Sequence, residues 1–200
     1  MKKFFAFIVA ALLTVPTFAQ MSRTGGVSTS NLYYGARIGF DVSTLTGDVD
    51  MGSKIGLNLG AVVGLALSDE VFLESGLYFS GRGAKDGKDH INYNNLDIPL
   101  LIKYGFKPID NLGVIPFFGP VFSYAVSGKT KVAGAEMGTF DEKQWAGLKR
   151  ANLGLKIGCG VEYNKLYAEL AYQFGLNDLS KADGFSTHCN AFFMNFGVNF

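Results

Sequence analysis

From Leu32 onward, apolar and polar residues alternate with period two, the pattern of a strand whose faces meet different surroundings. Eight such runs occupy approximately 32–42, 54–67, 71–82, 93–106, 113–126, 150–163, 165–175 and 190–200. In the last, Phe192, Met194, Phe196, Val198 and Phe200 share one face, and Ala191, Phe193, Asn195, Gly197 and Asn199 the other. The second run sets Ile55, Leu57, Leu59, Ala61, Val63, Leu65 and Leu67 against Gly56, Asn58, Gly60, Val62, Gly64 and Ala66.

The two faces differ in kind. Across all eight runs the apolar face contains no Asp, Glu, Lys or Arg. The opposite face carries Arg37, Asp41, Glu74, Arg82, Asp97, Lys103, Lys156, Glu162 and Glu169 among many glycines. A soluble barrel turns its apolar face inward. Here the bulky Phe, Tyr and Leu occupy the apolar face, and the small residues that a narrow lumen requires share the charged one. That is the inside-out order of a barrel facing lipid.

The connections agree. They run long at 43–53, short at 68–70, long at 81–92, short at 107–112, long at 127–149, a single residue at Asn164, and long at 176–189. Outer-membrane barrels have this order of short periplasmic turns and long extracellular loops. A strand of ~11 residues at ~3.3 Å each, tilted ~40°, rises roughly 28 Å, matching the apolar band. The predicted fold is all-β, an eight-stranded antiparallel transmembrane β-barrel over 32–200.

The N-terminal segment reads as an export signal. Lys2 and Lys3 precede an uncharged apolar run from Phe4 to Val15, and Pro16-Thr17-Phe18-Ala19 places small residues before a cleavage site at Ala19-Gln20. The run is too short to span a bilayer comfortably; an uncleaved anchor helix is the alternative. The expected organisation is a signal peptide over 1–19, a polar lead over 20–31 and the barrel. The residue directly after the cleavage site is Gln20 and not cysteine, which argues against a lipid anchor. Removing Lys2 and Lys3 from 18 basic residues leaves 16 against 17 acidic, a balance that does not suggest nucleic acid.

The run Asn95-Leu96-Asp97-Ile98-Pro99-Leu100-Leu101-Ile102-Lys103-Tyr104 resembles the fourth-strand motif of the outer-membrane β-barrel domain family abundant in Bacteroidetes-type bacteria, which includes PorT-like proteins. Phe18-Ala19-Gln20 and Phe117-Phe118-Gly119-Pro120 are similar to its members as well. The resemblance implies fold more than activity. It also implies that the terminal Phe200 is the signal read by the outer-membrane assembly machinery; the alternative is an interfacial girdle residue. Within the motif, Pro99 cannot donate a ladder hydrogen bond and predicts a bulge, with Pro116 and Pro120 beside it.

Eight strands enclose a lumen that side chains just fill. The nine inward charges are therefore expected to pair as a rigid plug, with Phe72, Tyr78, Phe117 and Phe193 beside them; a polar path for small solutes is the other reading. His90 and His188 fall in the second and fourth long loops, with Asp86 and Asp89 near one and Ser180, Asp183 and Ser186 near the other. Phe185-Ser186-Thr187-His188-Cys189-Asn190 is similar to the His-x-Ser-Asn signature of lipid A deacylases, but Asn190 stands where the serine should be. Cys159 falls on the lipid face and Cys189 at the rim, with a strand between them, so no disulfide is expected. No Cys or His pair has metal-ligand spacing, and no cofactor is implied. The expectation is a monomeric, non-enzymatic barrel of the cell outer membrane in contact with lipid and lipopolysaccharide. Its extracellular loops bind a partner or shield the surface; a rim-located lipid-modifying enzyme and a narrow channel are the alternatives.

Overall fold

The computed structural model describes residues 32–48, 52–86, 89–109, 112–132, 135–140, 148–181, 184 and 186–200. The signal segment 1–19 and the lead 20–31 lie outside them. Ten strands form: β1 Leu32–Gly47, β2 Gly52–Ala66, β3 Val71–Asp86, β4 Asp89–Tyr104, β5 Phe106–Ile109, β6 Leu112–Val132, β7 Ala135–Gly138, β8 Ala151–Tyr163, β9 Leu166–Gly175 and β10 Thr187–Asn199. The long strands pair in the order β4-β3-β2-β1-β10-β9-β8-β6, and a β4–β6 ladder closes the ring. The eight staves are antiparallel. Short β5 and β7 are additions to β6.

The register fixes the barrel's geometry. Stepping from partner to partner leads from Leu32 through Leu65, Leu73, Ile102, Phe118, Ile157, Tyr172 and Phe192 to Val42. The circuit thus returns to β1 displaced from residue 32 to residue 42, a shear of ten. For eight strands that shear corresponds to a tilt of about 40°. Every residue on the circuit is apolar, and most are exposed: Ile157 at 54% and Phe118 at 55%. Leu57 reaches 78% and Ile55 72%. A continuous apolar exterior of this kind is stable only in lipid, and closure leaves no unpaired stave edge there.

The lumen side reverses the chemistry. Arg37, Asp41, Glu74, Arg82, Asp97, Lys103, Lys156 and Glu169 are all buried. Glycines on this face make room for aromatics lying across the neighbouring strand. A Cβ on Gly60 would overlap the Tyr78 ring, and one on Gly160 the Tyr167 ring.

The structure corrects three expectations. The segments 43–53 and 81–92 are largely paired strand: β1 reaches Gly47, and β3 and β4 run to Asp86 and Asp89. His90 and His188 accordingly sit in β4 and β10 and not in loops. The ladders persist where polar outward residues replace apolar ones, so alternation stops marking a strand that hydrogen bonding continues. Pro99 also causes no register shift in either ladder; the irregularities fall between Ser53 and Asn58, between Asn94 and Asn95 and between Phe106 and Ile109. The Pro99 carbonyl accepts a hydrogen bond from Ser75 Oγ at 2.8 Å, and β6 pairs with β8 without a break past Pro116 and Pro120.

Candidate functional site

Strand alternation projects the charged residues into the lumen, where they form two groups. Nearer the short turns, Glu74 lies 2.7 Å from Lys103 and 3.6 Å from Arg37, and accepts a hydrogen bond from Tyr33 Oη at 2.7 Å. Lys103 Nζ also donates to Tyr167 Oη at 2.9 Å, which donates to Glu169 at 3.1 Å. Glu169 lies 3.4 Å from Lys156 and accepts from Asn195 Nδ2 at 2.8 Å. Asn58 Nδ2 donates to Asn195 Oδ1 at 3.1 Å. Glu162 is half-buried at the mouth and accepts from Asn199, which itself accepts from Arg37 at 2.6 Å.

Nearer the long connections, Arg82 binds Asp97 at 2.6 Å and Gln173 Oε1 at 3.2 Å, while Ser80 Oγ donates to the same Asp97 oxygen at 2.6 Å. Asp41 is wholly buried with neither carboxylate oxygen hydrogen-bonded.

Each buried cation also lies over an aromatic ring. Arg37 is 4.1 Å from the Tyr167 centroid, Lys103 4.7 Å from the same ring, Lys156 4.6 Å from Phe193 and Arg82 5.3 Å from Phe193. Such contacts stabilise most when water is excluded. Ion pairs, amides and ring faces together fill the mid-lumen.

Above them an apolar cluster closes the bore. Leu45, Ala84, Tyr93, Ala125 and Cys189 come from the staves, and Phe140, Leu148 and Leu179 fold in from connections. Tyr93 Oη donates to Cys189 Sγ at 3.0 Å, and its ring meets Phe140 edge-on. Cys189 is therefore a lumen residue and not a rim one, while Cys159 is exposed on the outer face; both are free thiols. At the short-turn end a cavity of about 190 Å³ remains, lined by Tyr33, Phe72, Glu74, Lys103, Glu162 and Tyr167 among others.

The rim residues do not assemble a catalytic triad among the described residues. Ser186 Oγ is 3.2 Å from His188 Nε2, but His188 Nδ1 has no hydrogen-bond partner, so no acid orients the ring. His90 lies opposite Lys85 and Lys131 in its ladders. Asp183 lies outside the described residues. Asp178 instead clasps the β9–β10 connection: its Oδ1 accepts from the amides of Thr187 at 2.8 Å and Ser180 at 2.9 Å. These bonds hold its carboxyl below the ordinary range.

Sequence reasoning did not single out Tyr167 or Gln173, although period two places both on the inward face, and it placed Asn58 and Asn195 on that face without giving them a part in the charge network. The cap residues Phe140, Leu148 and Leu179 lie in connections, where no periodicity marks them.

A closed eight-stave barrel with lipid-compatible walls and a polar, filled bore is a small outer-membrane protein. The chain belongs to the outer membrane protein beta-barrel domain family, whose model matches residues 18–181. No curated protein matches it in sequence. Among solved structures it is similar to Neisserial surface protein A, at 13% identity over 86% of this chain and 98% of that one, with a TM-score of 0.52. It is also similar to Ail of Yersinia pestis, solved with the heparin analogue sucrose octasulfate, at 14% identity over 85% and 99% with a TM-score of 0.45. The outer membrane enzyme PagL matches at 13% identity over 79% and 98%, with a TM-score of 0.47. At these identities the likeness is one of fold. In outer-membrane barrels the short turns face the periplasm and the longer extensions, here β3–β4 and β6–β7, face the cell exterior.

Proposed function

We propose that this protein is a non-enzymatic, non-conducting barrel whose extracellular extensions bind a partner or shield the cell surface. One observation carries the reading: paired strands continue past the apolar belt above a bore that is filled and capped. The β3–β4 hairpin stays in register from Phe79–Leu96 to Asp86–Asp89, while Phe140, Leu148 and Leu179 close the lumen beneath. A strand ordered beyond the membrane serves presentation; a sealed bore does not serve transport.

The Ser186–His188 contact is what favours the rival reading, a lipid-modifying enzyme at the rim. Among the described residues His188 Nδ1 has no partner, which weighs against it, because none of them would supply an acid to stabilise the imidazolium formed in catalysis. The lumen charge network then acts as a rigid support. Phe200, exposed at the end of the wall, serves as the signal for the assembly machinery. Export uses cleavage after Ala19, and the motif over 95–104 supports a Bacteroidetes-type, PorT-like affiliation.

Mass spectrometry of outer-membrane lipids from cells with and without the protein tests the choice. Unchanged acylation and head groups are expected, together with faster uptake of a hydrophobic dye in cells lacking the protein. A lipid whose mass changes with expression would replace the scaffold reading with the enzymatic one.

A further inference from the structure

The outward face of the extension built by β3, β4 and β6 is basic. The last apolar rung across β3, β4 and β6 is Phe79, Leu96 and Tyr124. One rung higher, Asn94 Nδ2 donates to Ser127 Oγ at 3.0 Å. Next come Asn92 and Lys129, paired across β4 and β6, and then Lys85, His90 and Lys131 in direct register over three strands. Lys85 and Lys129 are exposed, and His90 and Lys131 half-buried. Among the described residues Lys85, His90 and Lys131 form no ion pair, and Glu136 lies opposite Lys131 on the next ladder. On the neighbouring rim the outward positions are Thr44, Thr46, His188 and Asn190.

Height matters as much as charge. Successive outward rungs are about 5 Å apart along the membrane normal, from two residues of rise and the strand tilt. Lys129 thus stands about 10 Å above the last apolar rung, and its stem can bend back toward the interface. The row is continuous with the lipid-facing wall and turned the same way, so its nearest neighbours are lipid head groups. We propose that Lys85, Lys129 and Lys131, with His90 between them, form a seat for the phosphates of an outer-leaflet glycolipid, held against the outside of the barrel. This site is separate from any partner of the loop tips and does not depend on the scaffold reading.

Native mass spectrometry of the full-length protein in zwitterionic detergent tests it, using lipid A with both phosphates and the same glycolipid with its phosphates removed. The unmodified protein should retain the phosphorylated form about ten-fold better. The K85Q/K129Q/K131Q variant should lose that preference. K107Q, altered on the periplasmic β5, should keep it. Heat-modifiable gel migration verifies folding, and if the triple variant fails to fold, K131Q alone is judged by the same criteria. Equal retention by the unmodified protein and the variant, or of the two glycolipids, overturns the proposal. So does full displacement by millimolar inorganic phosphate, which would assign the row to a free anion.

Discussion

Lys103 of β4 and Glu74 of β3 meet at 2.7 Å inside the wall, each no more than 2% exposed. Removing one partner of a buried pair typically costs 3–5 kcal/mol, because the other charge is left behind. Arg37 and the Tyr33 hydroxyl remain on Glu74, so Lys103→Ala should fall at the low end, about 3 kcal/mol. Urea titration in lipid vesicles, followed by circular dichroism, measures it. Adding Glu74→Gln to Lys103→Met should recover part of the loss; additive costs would mean the two do not interact.

The filled bore predicts silence in planar bilayers. Arg82–Asp97, Lys156–Glu169 and Lys103–Glu74 occupy the lumen beneath the apolar cap. The unmodified protein should show no steady openings, and Phe140→Ser with Leu179→Ser should loosen the cap without creating a porin-like conductance. Stable large openings from the unmodified protein would contradict the filled lumen.

Leu59 faces lipid near mid-wall, 54% exposed. Leu59→Arg should cost about 2–4 kcal/mol, while Ser53→Arg, exposed above the belt, should stay within about 0.5. Both are read from vesicle unfolding midpoints. Similar costs would place the membrane boundary wrongly.

Asp178 gives the extracellular clasp a pH dependence. Its pKa is depressed in the folded state, chiefly by the Thr187 amide and then by that of Ser180. Its contribution is therefore complete above the ordinary aspartate value near pH 4 and disappears as acid takes the group through its lower folded value. Limited proteolysis of the β9–β10 connection with an acid-active protease should be slow at pH 5 and accelerate below pH 4. Asp178→Asn should cleave faster at both.

Legibility along the chain tracks the membrane. Where one face meets lipid, as at Ile55-Leu57-Leu59, period two reports both strand and orientation, and all eight staves were visible there. Above the lipid boundary Lys85 and His90 still pair across β3 and β4, but water accepts polar residues on both faces and the pattern vanishes. The inward position of Lys103 and Glu74 followed from phase alone; which cation each acid meets depends on shear, which no strand encodes by itself. The cap formed by Phe140, Leu148 and Leu179 was invisible, because apolar residues in connections have no periodicity to place them.

The β1–β10 ladder, running from Gly35–Asn199 to Gly47–Thr187, joins the two ends of the barrel's sequence. Closure of the ring therefore cannot precede arrival of the last stave, however early the local hairpins form. Until then β1 and β10 are open edges, which a bilayer interior does not tolerate. Insertion is in consequence tied to closure, and closure rests on contacts between the most distant parts of the barrel's sequence. A chain shortened within β10 would leave no smaller barrel to settle into, only an unclosed sheet for quality control to remove.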